Sequence, residues 1–394
     1  MEPSRVRPWA ALLLVALAVT ACGGSPQPRL NLSKNALALE SAVGRTRSDT
    51  FTITNQGPES VRLRLSAAQG WLTVSPTTVQ VGAGQDRTVT VSGACLAATP
   101  QSGQVTVKWD DNGATLATVN VDLSCHAAPA SDFDIDVVFF GATPPTPTQQ
   151  AVFEAAAARW SELIVGDLPP RTLSVAAGAC GGALPAVNME IDDVAIWAKV
   201  ELLDGPNGLL GYAGPCHYRT VGGEPMLPVT GYMVFDSADL EALESVGRLQ
   251  DVILHEMGHV LGIGTFWEDP GMHLDAPCTP GGTVRRFVGP EANARHTEAG
   301  GVENQLLVES DGGVGTACGH WDDETYANEL MTGYLSAGEN PLSAITVGSL
   351  ADIGYEVSYL LADDYAVPAP DAVREADAGY RIGEVVRFPP EPLD

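Results

Sequence analysis

The segment LQDVILHEMGHVLGIG, residues 249–264, contains the pattern that decides the predicted fold of this chain. Its apolar residues recur every three or four positions, which predicts a helix with one buried face. His255 and His259 are four residues apart, so their side chains project from the same side of that helix, about 6 Å apart along its axis. Glu256 lies roughly 100° around the helix from His255. The glycines at the end of the segment favour a helix end, because glycine readily adopts the left-handed conformation found there.

Two histidines at this spacing predict a metal site. Their imidazole nitrogens can reach one zinc ion at about 2.1 Å each. Glu256 can then sit beside a zinc-bound water, take its proton and pass it to a leaving amine. The alternative is a helix with two surface histidines, but here the motif interrupts an apolar face, where imidazoles without a partner are costly to bury. We therefore predict one Zn²⁺ per chain, held by His255 and His259, with Glu256 as the catalytic base.

Beyond this pair, the stretch HEMGHVLG, residues 255–262, resembles the metzincin zinc peptidases. That group typically places a third histidine three residues after the glycine, whereas this chain has Thr265 there. The leishmanolysin family, one branch of the group, inserts a long segment before its third histidine. This sequence resembles that branch again at residues 319–321, 328–334, 341–346 and 350–355.

The resemblance implies that His320 is the third zinc ligand. His320 lies eleven residues before the predicted methionine turn, and Cys318 can pin its loop. Two other histidines remain as alternatives: His273 lies in a loop flanked by Pro and Gly, and His296 lies in a polar stretch that predicts a surface position. A rival from a different peptidase class is Glu329, since thermolysin-like enzymes take their third ligand from an Asn-Glu pair on a downstream helix.

Further residues are assigned roles around this centre. The resemblance implies that Met331 forms the methionine turn, a hydrophobic floor beneath the metal, although an ordinary core methionine would be buried equally. Tyr334 is a candidate for stabilising the developing oxyanion. Residues 231–235, GYMVF, predict a strand that is either an edge on which a substrate peptide lies antiparallel, or ordinary sheet interior.

The first 22 residues predict an export signal. Two arginines precede an apolar stretch that is too short to span a bilayer, and the stretch ends in Val19-Thr20-Ala21-Cys22. This ending resembles the bacterial lipobox, which implies lipidation at Cys22 and a membrane-anchored lipoprotein at the periplasmic face or the cell surface. The alternative is an ordinary signal peptide and a secreted protein. Residues 23–28 then predict a flexible tether.

The chain contains seven cysteines, and six remain when Cys22 is set aside. An even number in an exported protein predicts three disulfides. Sequence order, rather than geometry, favours pairs between neighbours: Cys95 with Cys125, Cys180 with Cys216, and Cys278 with Cys318.

The pattern along the chain predicts a multidomain protein. Residues 29–127 alternate apolar with polar residues in short strands, which predicts an all-β sandwich, and this part loosely resembles bacterial immunoglobulin-like domains. Residues 131–366 mix strands and helices, which predicts an α+β catalytic domain of the zincin or metzincin kind. Within it, Thr146 to Gln149 predict a capped helix start, and residues 238–261 are predicted to be mostly helical. Residues 367–394 predict a loosely held tail.

The formal net charge of −28 argues against nucleic acid as a partner, because the two would repel each other. We therefore predict a zinc endopeptidase that hydrolyses peptide bonds of extracellular or envelope proteins. The alternative is a surface adhesion or binding lipoprotein with a catalytically degenerate zinc domain, in which the sandwich binds a glycan. Zinc-dependent hydrolysis of a non-protein amide is a third hypothesis that the metal chemistry allows.

Overall fold

The computed structural model describes residues 28–368, apart from 183, 207, 222–223, 269–272 and 337, together with residues 380–381, 384–385 and 391–393. The predicted export signal, the lipidation site Cys22 and nearly all of the tether lie outside these described residues. Within the described part of the chain, no helix is long and apolar enough to cross a membrane.

Residues 28–127, all of which the structure describes, contain nine strands: β1 (Leu30–Leu32), β2 (Ala36–Ala42), β3 (Thr46–Asn55), β4 (Val61–Ala67), β5 (Leu72–Ser75), β6 (Thr78–Val81), β7 (Asp86–Ala94), β8 (Gln101–Trp109) and β9 (Thr115–His126). They form two sheets, ordered β1-β3-β7-β5 and β2-β9-β8-β4-β6. Alternate residues of strands such as β4 are buried, as the period-two pattern predicts. This part is β-rich, as expected, and its inward-facing residues form one hydrophobic cluster. Its likeness to immunoglobulin domains stays a prediction.

The remaining part mixes strands and helices: β10 (Ile135–Phe139), α1 (Pro147–Leu163), β11 (Arg171–Val175), α2 (Ala179–Gly182), β12 (Val187–Ile191), β13 (Val194–Glu201), β14 (Gly211–Val221), β15 (Glu224–Asp236), α3 (Ser237–Ser245), α4 (Leu249–Leu261), β16 (Arg285–Arg286), α5 (Pro290–Glu298), β17 (Leu307–Val308), α6 (Asp323–Tyr326), β18 (Tyr334–Leu335), α7 (Ala344–Ile353), a 3-10 helix (Tyr359–Leu361), β19 (Tyr380–Arg381), β20 (Glu384–Val385) and β21 (Glu391–Leu393).

Its main sheet has the order β10-β13-β15-β14-β20, and β21 also pairs with β14. Strands β10, β13 and β15 are parallel, whereas β14 runs antiparallel to β15. One face of the sheet packs on α1 and α4, and the hairpin of β11 and β12 covers the other. Residues 231–235 therefore lie in the sheet interior, not at an edge, because β15 pairs with β13 on one side and with β14 on the other. Both faces of β15 are buried there as well.

The helices of this part lie where the sequence predicts them. Helix α1 begins with the predicted capping box, since the Thr146 side chain accepts from the Gln149 N–H while the Gln149 side chain accepts from the Thr146 N–H. The stretch 238–261 is mostly helical, as predicted, and consists of two helices, α3 and α4. Gly247 separates them at a φ of 71°, a left-handed conformation that interrupts a right-handed helix.

The sandwich contacts the mixed part through a few residues near the end of β2. Ala42 is buried in the hydrophobic cluster of α1 and α4. The Arg45 guanidinium lies 3.2 Å from the Glu162 carboxylate and 3.3 Å from that of Asp363. Both ion pairs are partly exposed, so each stabilises the contact by less than about 1 kcal/mol.

A glycine in β15 lets α4 lie close to the sheet, which generates the first prediction. A Cβ atom on Gly231 would lie 2.3 Å from Val260 Cγ1 and 2.8 Å from the Gly214 carbonyl oxygen. Gly231→Ala should therefore lower the free energy of unfolding by about 2 kcal/mol through overpacking, as measured by urea denaturation. Gly70→Ala is the control, because nothing lies within 4 Å of its Cβ position. Equal stability of the two variants would contradict this packing account.

Candidate metal centre

Helix α4 presents the histidine pair from a buried position. Every residue from Val252 to Leu261 is buried, including His255, Glu256 and His259, each at 0% exposure. The helix ends at Gly262, which adopts a left-handed φ of 115°. The helix end therefore falls where the glycines predict it, and the pair lies in its last two turns.

A loop brings His320 to the same place. Cys318, two residues before it, forms a disulfide with Cys278. The N–H of Cys318 donates to the Glu309 carbonyl, and the N–H of Glu309 donates to the His320 carbonyl. These bonds hold the His320 loop against Glu309, the residue that follows β17. The structure also contains the disulfides Cys95–Cys125 and Cys180–Cys216, so all three pairs are those that sequence order favoured.

The three imidazoles meet through their Nε2 atoms. These atoms lie 3.0 Å apart for His255 and His259, and 3.1 Å apart for each of the two pairs with His320. Each Nδ1 atom contacts a backbone carbonyl oxygen. His255 Nδ1 lies 2.7 Å from the oxygen of Leu330, and His259 Nδ1 lies 2.9 Å from that of Ile263. His320 Nδ1 lies 2.7 Å from the oxygen of Thr316. Because a carbonyl oxygen only accepts, each Nδ1 must carry the proton, and the neutral rings direct their Nε2 lone pairs towards one another.

This donor set fits a zinc ion. Tetrahedral zinc with bonds of about 2.1 Å would place its nitrogen ligands roughly 3.4 Å apart, close to the separations observed. Zinc ligands also typically donate their second ring N–H to a carbonyl or carboxylate, as all three do here. Burial and the neighbouring His320 lower the pKa of His255 well below its usual value, which favours the neutral ring that a metal requires.

Met331 lies directly against the helix that carries the pair. A Cβ atom on Gly258 would lie 2.9 Å from Met331 Sδ and 3.2 Å from Trp160 Cζ2. Glycine at this position therefore allows Met331, which has 0% exposure, to pack between the two ligand-bearing turns. The backbone of Met331 also accepts from the Trp321 N–H, next to His320. This placement is compatible with the predicted floor beneath the metal.

Glu329, the rival ligand, is not part of the histidine group. Its buried carboxylate accepts from the Met331 N–H at 2.7 Å, the Ser343 hydroxyl at 2.6 Å and the Thr346 hydroxyl at 2.6 Å. It thereby connects the turn at residues 329–332, which contains Met331 and is called the methionine turn below, to the first turn of α7. Burial raises the pKa of Glu329, and these hydrogen bonds oppose that shift. Sequence reasoning missed this structural role, although Ser343 is a recognisable N-cap residue.

The other candidates lie elsewhere. His273 stacks on Phe287 with ring centroids 5.7 Å apart. His296 is only 1% exposed, so the predicted surface position is wrong: it packs against Tyr326, with its Nε2 3.2 Å from the Tyr326 hydroxyl. The polar stretch had suggested exposure, but His296 lies on the inward face of α5. Tyr334 lies in β18, three residues after Met331, and its role stays a prediction.

One close backbone contact couples α4 to the His320 loop, which generates a prediction. A Cβ atom on Gly264 would lie 2.0 Å from the Gly319 carbonyl oxygen. Gly264→Ala should therefore displace the loop and lower bound zinc at least tenfold, as measured by elemental analysis after dialysis. Gly281→Ala is a matched control, because Gly264 and Gly281 have φ angles of 72° and 71° but only Gly264 lacks space. Zinc retention by Gly264→Ala would contradict this coupling.

The connection made by Glu329 generates a further prediction. Glu329→Ala removes the acceptor of four buried donors, the N–H groups of Met331 and Ser343 and the hydroxyls of Ser343 and Thr346, which should cost about 3 kcal/mol in the free energy of unfolding. Zinc content should fall as well, because the methionine turn also supplies the carbonyl that holds His255. Urea denaturation and elemental analysis measure both effects. Glu339→Ala, which removes an exposed carboxylate, is expected to change neither; a stable, zinc-replete Glu329→Ala protein would contradict the structural role.

The chain has been compared with known proteins. No curated protein matches it. Among solved structures, the PapD-like domain 7 of human CEP192 is 12% identical, with 30% of this chain and 99% of that chain covered, at a TM-score of 0.24. The MSP family member WR4 from C. elegans is 11% identical, with 24% and 96% covered, at 0.20. The E. coli chaperone DraB is 10% identical, with 26% and 58% covered, at 0.21. Scores this low carry no argument about this chain.

A family model gives the informative match. Residues 192–365, less than half of the chain, match the model for Leishmanolysin (Peptidase_M8). This range includes α4, the His320 loop, the methionine turn and α7. The match supports the resemblance seen in the motifs, and it supports a leishmanolysin-like metallopeptidase in this part of the chain.

Proposed function

We propose that the chain is a zinc-dependent endopeptidase, with His255, His259 and His320 as the ligands of one Zn²⁺. The observation that carries the proposal is the convergence of three Nε2 atoms whose rings are held in the metal-binding tautomer by backbone carbonyls. Three neutral donors suit a catalytic site better than a structural one, because structural zinc is usually closed by four protein ligands.

Bound zinc would supply a Lewis acid that polarises the scissile carbonyl and favours deprotonation of water. Glu256 follows His255 on α4 and does not belong to the group of converging donors, so we propose that its carboxylate acts beside the metal and not as a ligand. We propose that it takes the proton of the attacking water and delivers it to the nitrogen of the leaving amine. Its complete burial excludes bulk water, which strengthens its electrostatic effect on the reacting groups.

We propose that the substrate lies along β14 rather than along residues 231–235. Strand β14 is the outermost long strand of the sheet, and an extended peptide can add to such an edge through backbone hydrogen bonds. β14 also packs against α4, and the Gly214 carbonyl of β14 and Val260, the neighbour of His259, both lie close to Gly231. Binding through the backbone would make the enzyme tolerant of sequence, as an endopeptidase acting on varied proteins requires. Tyr334 remains our candidate for stabilising the oxyanion.

We further propose that the protein acts outside the cytoplasm on extracellular or envelope proteins. Three disulfides fit an oxidising compartment. Lipidation at Cys22 would anchor the protein to a membrane, and the sandwich would then act as a spacer or a glycan-binding module. The adhesion alternative, with a degenerate zinc domain, is not favoured, because the histidines and Glu256 are all present and the family match is to a peptidase.

Replacing the proposed base tests the proposal. Glu256→Gln preserves the shape of the side chain but cannot take a proton, so cleavage of fluorescein-labelled casein should fall about 10³-fold. Zinc content should remain at one per chain. Glu241→Gln, an exposed position on α3, is the control and should cleave as the unmodified chain does. If the zinc-loaded unmodified chain and the zinc-loaded Glu256→Gln variant cleave casein equally, or if neither cleaves it, the endopeptidase proposal is wrong.

A further inference from the structure

Strand β10 forms an edge of the main sheet, on the opposite side of the sheet from β14. Among the strands that the structure describes, it pairs with β13 alone. Because neighbouring strands lie about 4.8 Å apart, three strand spacings separate this edge from β14 by roughly 14 Å. An edge strand presents a row of N–H and C=O groups with which another polypeptide can pair. The outer edge of β10 is therefore a surface separate from β14.

The backbone groups on the outer side of β10 can be identified from the bonds on its inner side. The N–H groups of Asp134 and Phe140 both point towards β13, where they donate to the Asp193 carboxylate and the Ala198 carbonyl. Since the N–H groups of successive residues in a strand point to opposite sides, those of the odd-numbered residues face outwards. These residues are Ile135, Val137 and Phe139.

A groove with a volume of about 560 Å³ runs along this edge, between β10 and α1. Its helical wall is formed by residues that recur every three or four positions and so belong to one face of α1. These residues are Glu154, Ala157, Ala158, Ser161 and Glu162. The three in the middle have small side chains. The groove therefore leaves room for the side chains of a strand that adds to β10.

The charged residues that line the groove are all acidic. Asp134 and Asp136 lie on the strand side, and Glu154 and Glu162 lie on α1. Glu162 already pairs with two arginines. Within the described residues, no ion pair joins a lysine or an arginine to any of the other three. The groove thus offers three carboxylates to a cationic partner.

These carboxylates lie on both sides of the space that an added strand would fill. Ile135 and Val137 pack on the hydrophobic cluster of α1 and α4. Because side chains alternate between the two faces of a strand, Asp134 and Asp136 lie on the opposite face of β10. The side chains of an added strand would therefore meet Glu154 on the α1 face and the two aspartates on the other face.

The charge also decides which polypeptide can occupy the edge. If two copies of this chain paired through their β10 edges, Asp134 and Asp136 of one copy would approach those of the other. Like charges on adjacent strands are destabilising, which disfavours a second copy as the occupant. Lysine or arginine side chains on the added strand would instead lie beside these carboxylates. Charge complementarity therefore favours a basic segment of a different polypeptide.

We propose that the outer edge of β10 and the facing side of α1 bind an extended, basic segment of another polypeptide by strand addition. Backbone pairing with the outward N–H and C=O groups of β10 holds the segment. Asp134, Asp136 and Glu154 select it by contacts with its lysine or arginine side chains. The inference goes beyond the proposed function, because binding at this edge requires neither zinc nor hydrolysis.

Fluorescence anisotropy with the full chain tests the proposed surface. All chains carry Glu256→Gln, so that peptidase activity cannot consume the probe. The probe is a fluorescein-labelled peptide of three Lys-Lys-Thr-Val repeats, which places lysines on both faces of a strand. Asp134→Asn/Asp136→Asn/Glu154→Gln should weaken binding about tenfold, since each exposed charge pair contributes roughly a factor of two or more.

A matched control removes three exposed acidic residues of the sandwich and so changes the net charge equally. This variant is Glu59→Gln/Asp86→Asn/Asp111→Asn. It should bind the probe as the chain with Glu256→Gln alone does. If the two triple variants bind the probe with equal affinity, or if the chain with Glu256→Gln alone does not bind it, the proposed surface is wrong.

A second peptide separates strand addition from a simple attraction between charges. It has the sequence of the probe, but two adjacent central residues are N-methylated. The peptide therefore keeps its charge and loses one N–H on each of its two edges. It should bind at least tenfold more weakly than the probe. Equal affinity of the two peptides would show that charge alone is responsible, which would overturn the proposal.

Hydrogen exchange locates the bound peptide. At saturating probe, the amides of Ile135, Val137 and Phe139 should exchange at least ten times more slowly, because their outward N–H groups then donate to the peptide. The amides of residues 212–216 in β14 should exchange as they do without the probe. Protection of β14 in place of β10 would contradict the assignment of the peptide to the β10 edge.

Discussion

Three hydrogen bonds from histidine Nδ1 atoms to backbone carbonyls constrain the rest of the structure. Each bond fixes a tautomer and a ring orientation, and together they direct three Nε2 lone pairs to one point. Neutral rings in this arrangement repel one another unless a cation lies between them, so the arrangement favours metal binding. The carbonyls belong to three different parts of the chain, which means that the geometry of the centre depends on the positions of all three.

The fold brings these parts together by several independent contacts. His320 lies 61 residues beyond His259, and closing a loop of that length costs on the order of 4 kcal/mol in chain entropy. The Cys278–Cys318 disulfide shortens the loop that must close. The close contact of Gly264 with Gly319 places the His320 loop against the end of α4. Glu329 holds the methionine turn against α7. The sheet packs closely against α4 where Gly231 of β15 approaches Val260.

The sequence predicted the local features of this arrangement better than its long-range ones. The helix of the ligand pair, its glycine end and the capping box of α1 follow from patterns within a few residues. The position of 231–235 in the sheet could not be predicted, because strand order depends on pairing partners far along the chain. The burial of His296 was missed for the same reason, since Tyr326 lies 30 residues away. The backbone carbonyls that accept from the histidines could not be predicted either, because every residue has the same backbone carbonyl whatever its side chain.

The central claim is that His255, His259 and His320 are the protein ligands of one zinc ion, and X-ray absorption at the zinc edge tests it most directly. The zinc-loaded chain should show three histidine nitrogens at about 2.0–2.1 Å. His320→Ala should lose one of them, while His273→Ala should retain all three. A spectrum with fewer than three histidine nitrogens, with sulfur ligands, or unchanged by His320→Ala would contradict the account.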